Sequence, residues 1–227
     1  MNVAFKLGAS VATLALLTVS AHAADLYVPQ QPFIPESPAM SWTGAYIGGH
    51  VGYGFGTVDG TITAGGSGTA EFDNDGWLAG VQAGYNHDLG GIVVGVEGDI
   101  AWADISGSTP NGGSAGTIYN SIDWLATLRG RVGFAADAFL VYATGGVAFA
   151  GGTTGIDFVS GPDYEGSATH TGWVVGLGAE AMVADNVSLK AEYLYHDLGT
   201  ASYESAPFGA DGSITLSTFK IGANFHF

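Results

Sequence analysis

The chain of 227 residues has no cysteine, only five Lys and Arg, and only seven prolines, four of them crowded into one short segment. The absence of Cys excludes a disulfide scaffold, a thiolate metal centre and a cysteine nucleophile. Five bases against 21 acids exclude the clustered positive charge that phosphate backbones require, so no nucleic acid is expected as a partner. What remains is 38 Gly in a chain that is 47% hydrophobic and 12% aromatic, which argues against disorder. A Gly-rich, aromatic-rich and Lys-poor composition points to an all-β protein in an unusual solvent.

The opening MNVAFKLGASVATLALLTVSAHA has Lys6 as a short positive region, an apolar stretch from Leu7 to Val19, and Ala21-His22-Ala23 as a small-x-small cleavage sequence. This is the pattern of a secretory signal peptide over 1–23, cut between Ala23 and Ala24. The apolar stretch is too short for a membrane anchor. Residues 24–41 carry Pro29, Pro32, Pro35 and Pro38 and read as an extended, semi-rigid periplasmic spacer.

From Trp42 to Phe227 the dominant signal has a period of two, which predicts strands. Eight alternating segments fall at about 44–56, 76–87, 91–103, 121–135, 138–150, 171–184, 186–196 and 214–227. Large apolar residues line one face, for example Ile47, Val51, Tyr53 and Phe55 in the first and Ile122, Trp124, Ala126 and Leu128 in the fourth. Tight turns near 88–90, 136–137 and 185–186 take turns with four long Gly-rich connections at about 57–75, 104–120, 151–169 and 197–213. Together they predict an all-β, eight-stranded, antiparallel up-and-down transmembrane β-barrel, with four long external loops and three short periplasmic turns.

Charge placement decides which face meets lipid. After the signal peptide the only bases are Arg129, Arg131, Lys190 and Lys220, and each falls on the small polar face of its segment. So do Glu97, Asp99, Asp123, Glu180 and Glu192. These nine predict a lumenal ion-pair network, with Glu97 and Asp99 beside Arg129 and Arg131, and Glu180 beside Lys190 and Glu192. A soluble barrel would need the reverse arrangement, with a dozen aromatics inside a bore just wide enough for side chains. The aromatics instead sort by height. Phe55, Trp77, Trp102, Trp124, Phe149, Trp173 and Tyr195 lie toward the long connections, and Tyr85, Phe134, Phe139, Phe225 and Phe227 toward the short turns. Two interfacial girdles are expected. Eleven further acids lie in or at the edge of the long connections, which hold no Lys or Arg.

SWTGAYIGGHVGYGFG at 41–56, GWLAGVQAGYNHDLGGIVVGVEGDI, LRGRVGF, VYATGGVAF and the closing FKIGANFHF resemble the small alphaproteobacterial outer-membrane β-barrel proteins often called outer-membrane immunogenic proteins. The resemblance covers nearly the whole chain. It implies residence in the outer membrane of a Gram-negative cell and a surface antigen. It also implies a C-terminal signal at Phe227, with Phe225 and Phe219, read by the barrel-assembly machinery. Members are porin-like, structural or, in some relatives, heme-binding.

Other motifs have plainer readings. GLGAEA at Gly176–Ala181 matches a dinucleotide fingerprint, but the period of two runs straight through it where the fingerprint needs a turn and a helix. His50, His87, His170, His196 and His226 lack ligand spacing, so no metal or cofactor is expected. Heme held by His50, His170 or His196 is a minor alternative. Ser217 and Thr215 face lipid without a His or carboxylate on their own strand face, so no enzyme is expected. The expected role is a structural envelope protein that meets outer-membrane lipid and lipopolysaccharide and exposes acidic loops. The alternatives are a narrow porin-like channel, or a surface protein binding heme or a host through its loops.

Overall fold

The computed structural model describes residues 41–63, 67–111, 116–157, 164–205 and 208–227. The expected signal peptide, its Ala23–Ala24 cleavage site and nearly all of the Pro-rich spacer lie outside the described residues. Eight strands follow one another: β1 (Gly44–Thr63), β2 (Ser67–Asp88), β3 (Ile92–Asn111), β4 (Gly116–Ala136), β5 (Phe139–Asp157), β6 (Tyr164–Ala184), β7 (Val187–Ser205) and β8 (Phe208–His226). Each pairs antiparallel with its neighbour, and β8 closes on β1 with Ile47 opposite Phe225 and Tyr53 opposite Phe219. Closure leaves no edge strand. The backbone N–H and C=O groups are paired strand to strand, as a lipid solvent demands.

The four long connections keep their places, but the strands run far into them. Strands of 19–22 residues are about 65 Å long, against an apolar band about 25 Å tall in a tilted outer-membrane barrel. The surplus lies on the long-connection side, because the opposite ends are closed by tight turns. The segments expected as loops are therefore mostly paired hairpin arms. Gly and Thr do not forbid extended backbone where both partners of a hairpin continue.

Alternation separates two walls. The outer wall carries Trp77 at 70% exposure, Leu177 at 67%, Val96 at 58% and Ile221 at 55%. An unbroken belt of large exposed apolar groups belongs in lipid, not water. Both expected rings of aromatics stand on this wall, with Trp102 opposite Trp124 at the upper level and Ile92 opposite Phe134 at the lower.

The inner wall has three layers. At the short-turn mouth Trp42, Val93, Leu140, Tyr142 and Met182 form a buried cluster. The middle layer is ionic. Above it Leu78, Ala101, Ile105, Ile122, Leu125, Ala148, Val174, Leu194, Leu198 and Leu216 form a second apolar cluster.

A departure from strict alternation at Asp123 moves residues of β4 to the opposite wall. The β4 ladder loses register at Asp123 on both sides, between Trp102 and Ile105 of β3 and against Gly151 and Gly152 of β5. This β-bulge turns Ile122 inward, where it is 2% exposed, although the period of two places it on the lipid face. Asp123 is correspondingly exposed.

Candidate functional site: the lumenal ion layer

Glycine on the inner wall leaves room in the bore at this level. Gly84 and Gly178 face the rings of Tyr46 and Tyr142 so closely that a side chain at either would collide with the phenol. That space lets eight long charged side chains meet in an eight-stranded bore. Four bases (Arg129, Arg131, Lys190, Lys220) and four acids (Glu97, Asp99, Glu180, Glu192) are each at most 7% exposed. The layer is formally neutral.

Glu97 of β3 is the hub. Its carboxylate lies 2.5 Å from Arg129 Nη2, 2.7 Å from Lys190 Nζ and 3.4 Å from Arg131 Nη1, and it accepts the Tyr46 hydroxyl at 2.7 Å. Asp99, two residues on, takes Lys220 Nζ at 2.8 Å, Arg129 Nη2 at 3.1 Å and the Thr127 hydroxyl. Glu192 accepts Arg129 Nη1 at 3.0 Å and the Tyr142 hydroxyl at 2.9 Å, with Lys190 3.6 Å away. Glu180 lies lower. It takes Arg131 Nη2 at 2.7 Å, the Ser188 hydroxyl at 2.5 Å and Asn224 Nδ2 at 2.7 Å, with His226 Nε2 3.6 Å away.

Buried charge is tolerated only where every ion is partnered, because desolvation otherwise outweighs the Coulomb attraction. Here each carboxylate receives at least one cation and at least one further donor, and Lys190 and Lys220 donate to carboxylates. Arg131 is also clasped between rings, its guanidinium carbon 4.1 Å from the Tyr142 centroid and 5.6 Å from that of Tyr46.

Two expectations need correction. Asp123 is no member of the layer: the bulge swings it to the outer wall, where Oδ1 accepts the Ser121 hydroxyl at 3.2 Å. Glu180 stands opposite Lys190 in the β6–β7 ladder, yet its ion pair is with Arg131. Lys190 reaches across to Glu97 instead. Register decides backbone neighbours, whereas long flexible side chains in a bore choose partners by height and angle.

Some participants have no charge pattern to announce them. Tyr46 and Tyr142 sit on the polar parity of their strands, a large aromatic where glycine and ions are the rule, and that parity is the signal that marks them. Trp42 precedes β1, so no strand period reaches it. It is 1% exposed, donates Nε1 to the Asp137 carbonyl at 3.2 Å, and meets the His226 ring edge-on with centroids 6.1 Å apart.

The histidines are built into the walls. His50 contacts Gln82 Oε1 at 2.5 Å and His196 contacts Thr218 Oγ1 at 3.2 Å. His170 is buried on β6, whereas His87 is exposed. On the outer wall of β8 the Ser217 hydroxyl bonds that of Tyr193 at 2.9 Å, and Thr215 is paired in register with Asp197. Among the described residues no group of three or more His, Asp or Glu is arranged to hold a metal ion.

The model of the outer membrane protein β-barrel domain matches residues 11–227. The chain is 35% identical to a 31 kDa outer-membrane immunogenic protein of Brucella melitensis, covering 94% of this chain and 96% of the relative. It is 34% identical to a 22 kDa outer membrane protein of Rhizobium leguminosarum, covering 85% and 82%. Among solved structures it is similar to the outer membrane protease OmpT of Escherichia coli, at a TM-score of 0.50 and 8% identity, covering 85% of this chain and 99% of that one. At that identity the likeness concerns the fold alone.

Proposed function

Because this chain belongs to the outer membrane protein β-barrel family, we propose that it is a closed, non-conducting envelope protein that holds acidic hairpins at the cell surface. It resides in the outer membrane, as a surface-antigen-like barrel of that family. The observation that carries the proposal is the layered lumen. The neutral ionic layer of Arg129, Arg131, Lys190, Lys220, Glu97, Asp99, Glu180 and Glu192 lies between two apolar ones.

A selective channel needs sites that bind an ion weakly enough to release it. In this lumen every charge is already paired within the protein, and a permeating ion would have to displace 2.5–3.1 Å contacts. It would then cross Leu78, Ile105, Leu125, Leu194 and Leu216, which offer it nothing in exchange for water. The same pairing makes the layer a lock. It ties β3, β4, β6, β7 and β8 together across the bore and adds stiffness to a barrel whose outer wall gains little from lipid contact.

The test is electrical recording of the mature chain, Ala24–Phe227, folded into planar bilayers. Inserted barrels that stay silent meet the expectation. Steady openings would replace this reading with the porin-like one and make the lumenal acids its filter.

A further inference from the structure

The bulge on β4 does more than turn Ile122 inward. It places a carboxylate at the upper edge of the lipid belt, beside the indole of Trp124 and against a cleft of about 300 Å³ that crosses to β5 and β6. Asp123, Trp124, Gly151, Thr153, Ser167 and Thr169 line it. The Trp124 indole packs against Gly151, where any side chain would strike its Nε1, so glycine permits the indole to lie against the wall. Trp124 is half-buried, and Ser167 and Thr169 are exposed. The Ser121 hydroxyl donates to Asp123 Oδ1 at 3.2 Å, and the carboxylate is exposed.

From this geometry we infer a saccharide-binding site at the β4 bulge, taking an uncharged pyranose unit at the outer lipid–water boundary. A flat indole packs the C–H face of a sugar ring, and an exposed carboxylate accepts two vicinal hydroxyls. Ser and Thr hydroxyls complete the set as both donors and acceptors. Charge selects against the phosphate end of any glycolipid: all four Lys and Arg among the described residues are buried in the lumen, so the outer wall offers an anion no counter-charge. The cleft is open and shallow, which implies weak intrinsic affinity. A sugar carried on an outer-leaflet lipid would be concentrated beside it by the membrane. The same pyranose chemistry is present in a lipopolysaccharide headgroup and in a free oligosaccharide, and the experiment separates the two.

The mature barrel, folded in detergent micelles, is titrated with an unphosphorylated N-acetylglucosamine disaccharide and with its phosphorylated form, using saturation-transfer NMR. In parallel the barrel is placed in nanodiscs of phospholipid with and without lipopolysaccharide, and retained lipopolysaccharide is counted by mass spectrometry. Asp123→Asn and Trp124→Leu are compared with the parent, with urea midpoints confirming that each is folded.

Binding of the uncharged disaccharide that weakens about tenfold in Asp123→Asn supports the site. Retention of lipopolysaccharide alone, lost in both variants, supports it with the lipid headgroup as the source. Binding that requires the phosphate, binding unchanged in folded variants, or no saturable binding in either arm overturns it. Should Trp124→Leu fail to fold, Asp123→Asn decides alone, because its side chain keeps its size and lies outside the lumen.

Discussion

Arg129 of β4 and Glu192 of β7 meet across the bore, Nη1 to Oε1 at 3.0 Å, with Nη2 3.3 Å from Oε2. The two strands are not neighbours in the sheet, so this fork-to-fork pair is a cross-brace between opposite parts of the wall. Arg129 serves three carboxylates at once, and its removal would leave all of them short of positive charge in a dry interior.

Arg129→Met is therefore expected to lower stability by about 3–5 kcal/mol, the usual cost of breaking a buried pair from one side. Urea unfolding of the barrel in lipid vesicles reads this directly. A double-mutant cycle with Glu192→Gln should return a coupling of about 1–3 kcal/mol. Additive effects would mean that the brace does not form.

Asp123 and Asp99 have the same side chain and opposite surroundings. Asp99→Asn takes a full charge from Lys220 and Arg129 and should cost about 1–3 kcal/mol. Asp123→Asn, on the outer wall, should shift the midpoint by no more than about 0.5 kcal/mol. Equal losses at the two positions would return Asp123 to the lumen.

Trp42 closes the short-turn mouth although it belongs to no strand. Trp42→Ala should cost about 3–5 kcal/mol through the cavity it leaves beside Leu140, Tyr142 and Met182. The barrel should stay electrically silent, since the ionic layer and the upper apolar layer are untouched. Conductance appearing in this variant alone would make Trp42 the barrier, in place of the layers above it.

The lipid belt has a simple positional test. Leu177 is 67% exposed midway between the two girdles, with Ala143 and Tyr193 opposite it. Leu177→Arg should cost about 2–4 kcal/mol there, while Ser167→Arg, above the belt, should cost about 0–1. Measuring both in the same vesicles sets the upper limit of the membrane without a label.

Strand number, order and facing followed from local rules. Side chains of an extended chain alternate, so a period of two reports the two walls of any strand. Short and long connections report which ends meet. The strand positions of Glu97 and Arg129 could be read in the same way, because they are partners in an adjacent ladder. Three features were decided only by the tertiary structure. Glu180 turned to Arg131 and Lys190 to Glu97, because closure and strand stagger, not register, set which residues share a height in the bore. Ile122 and Asp123 exchanged walls, because one extra residue in a ladder reverses every parity count beyond it. Trp42 found its place under the barrel because a mouth exists only after the sheet has closed. Alternation is a property of neighbouring peptides and is written along the chain. A lumen is a property of the closed surface, and its pairings belong to no single strand.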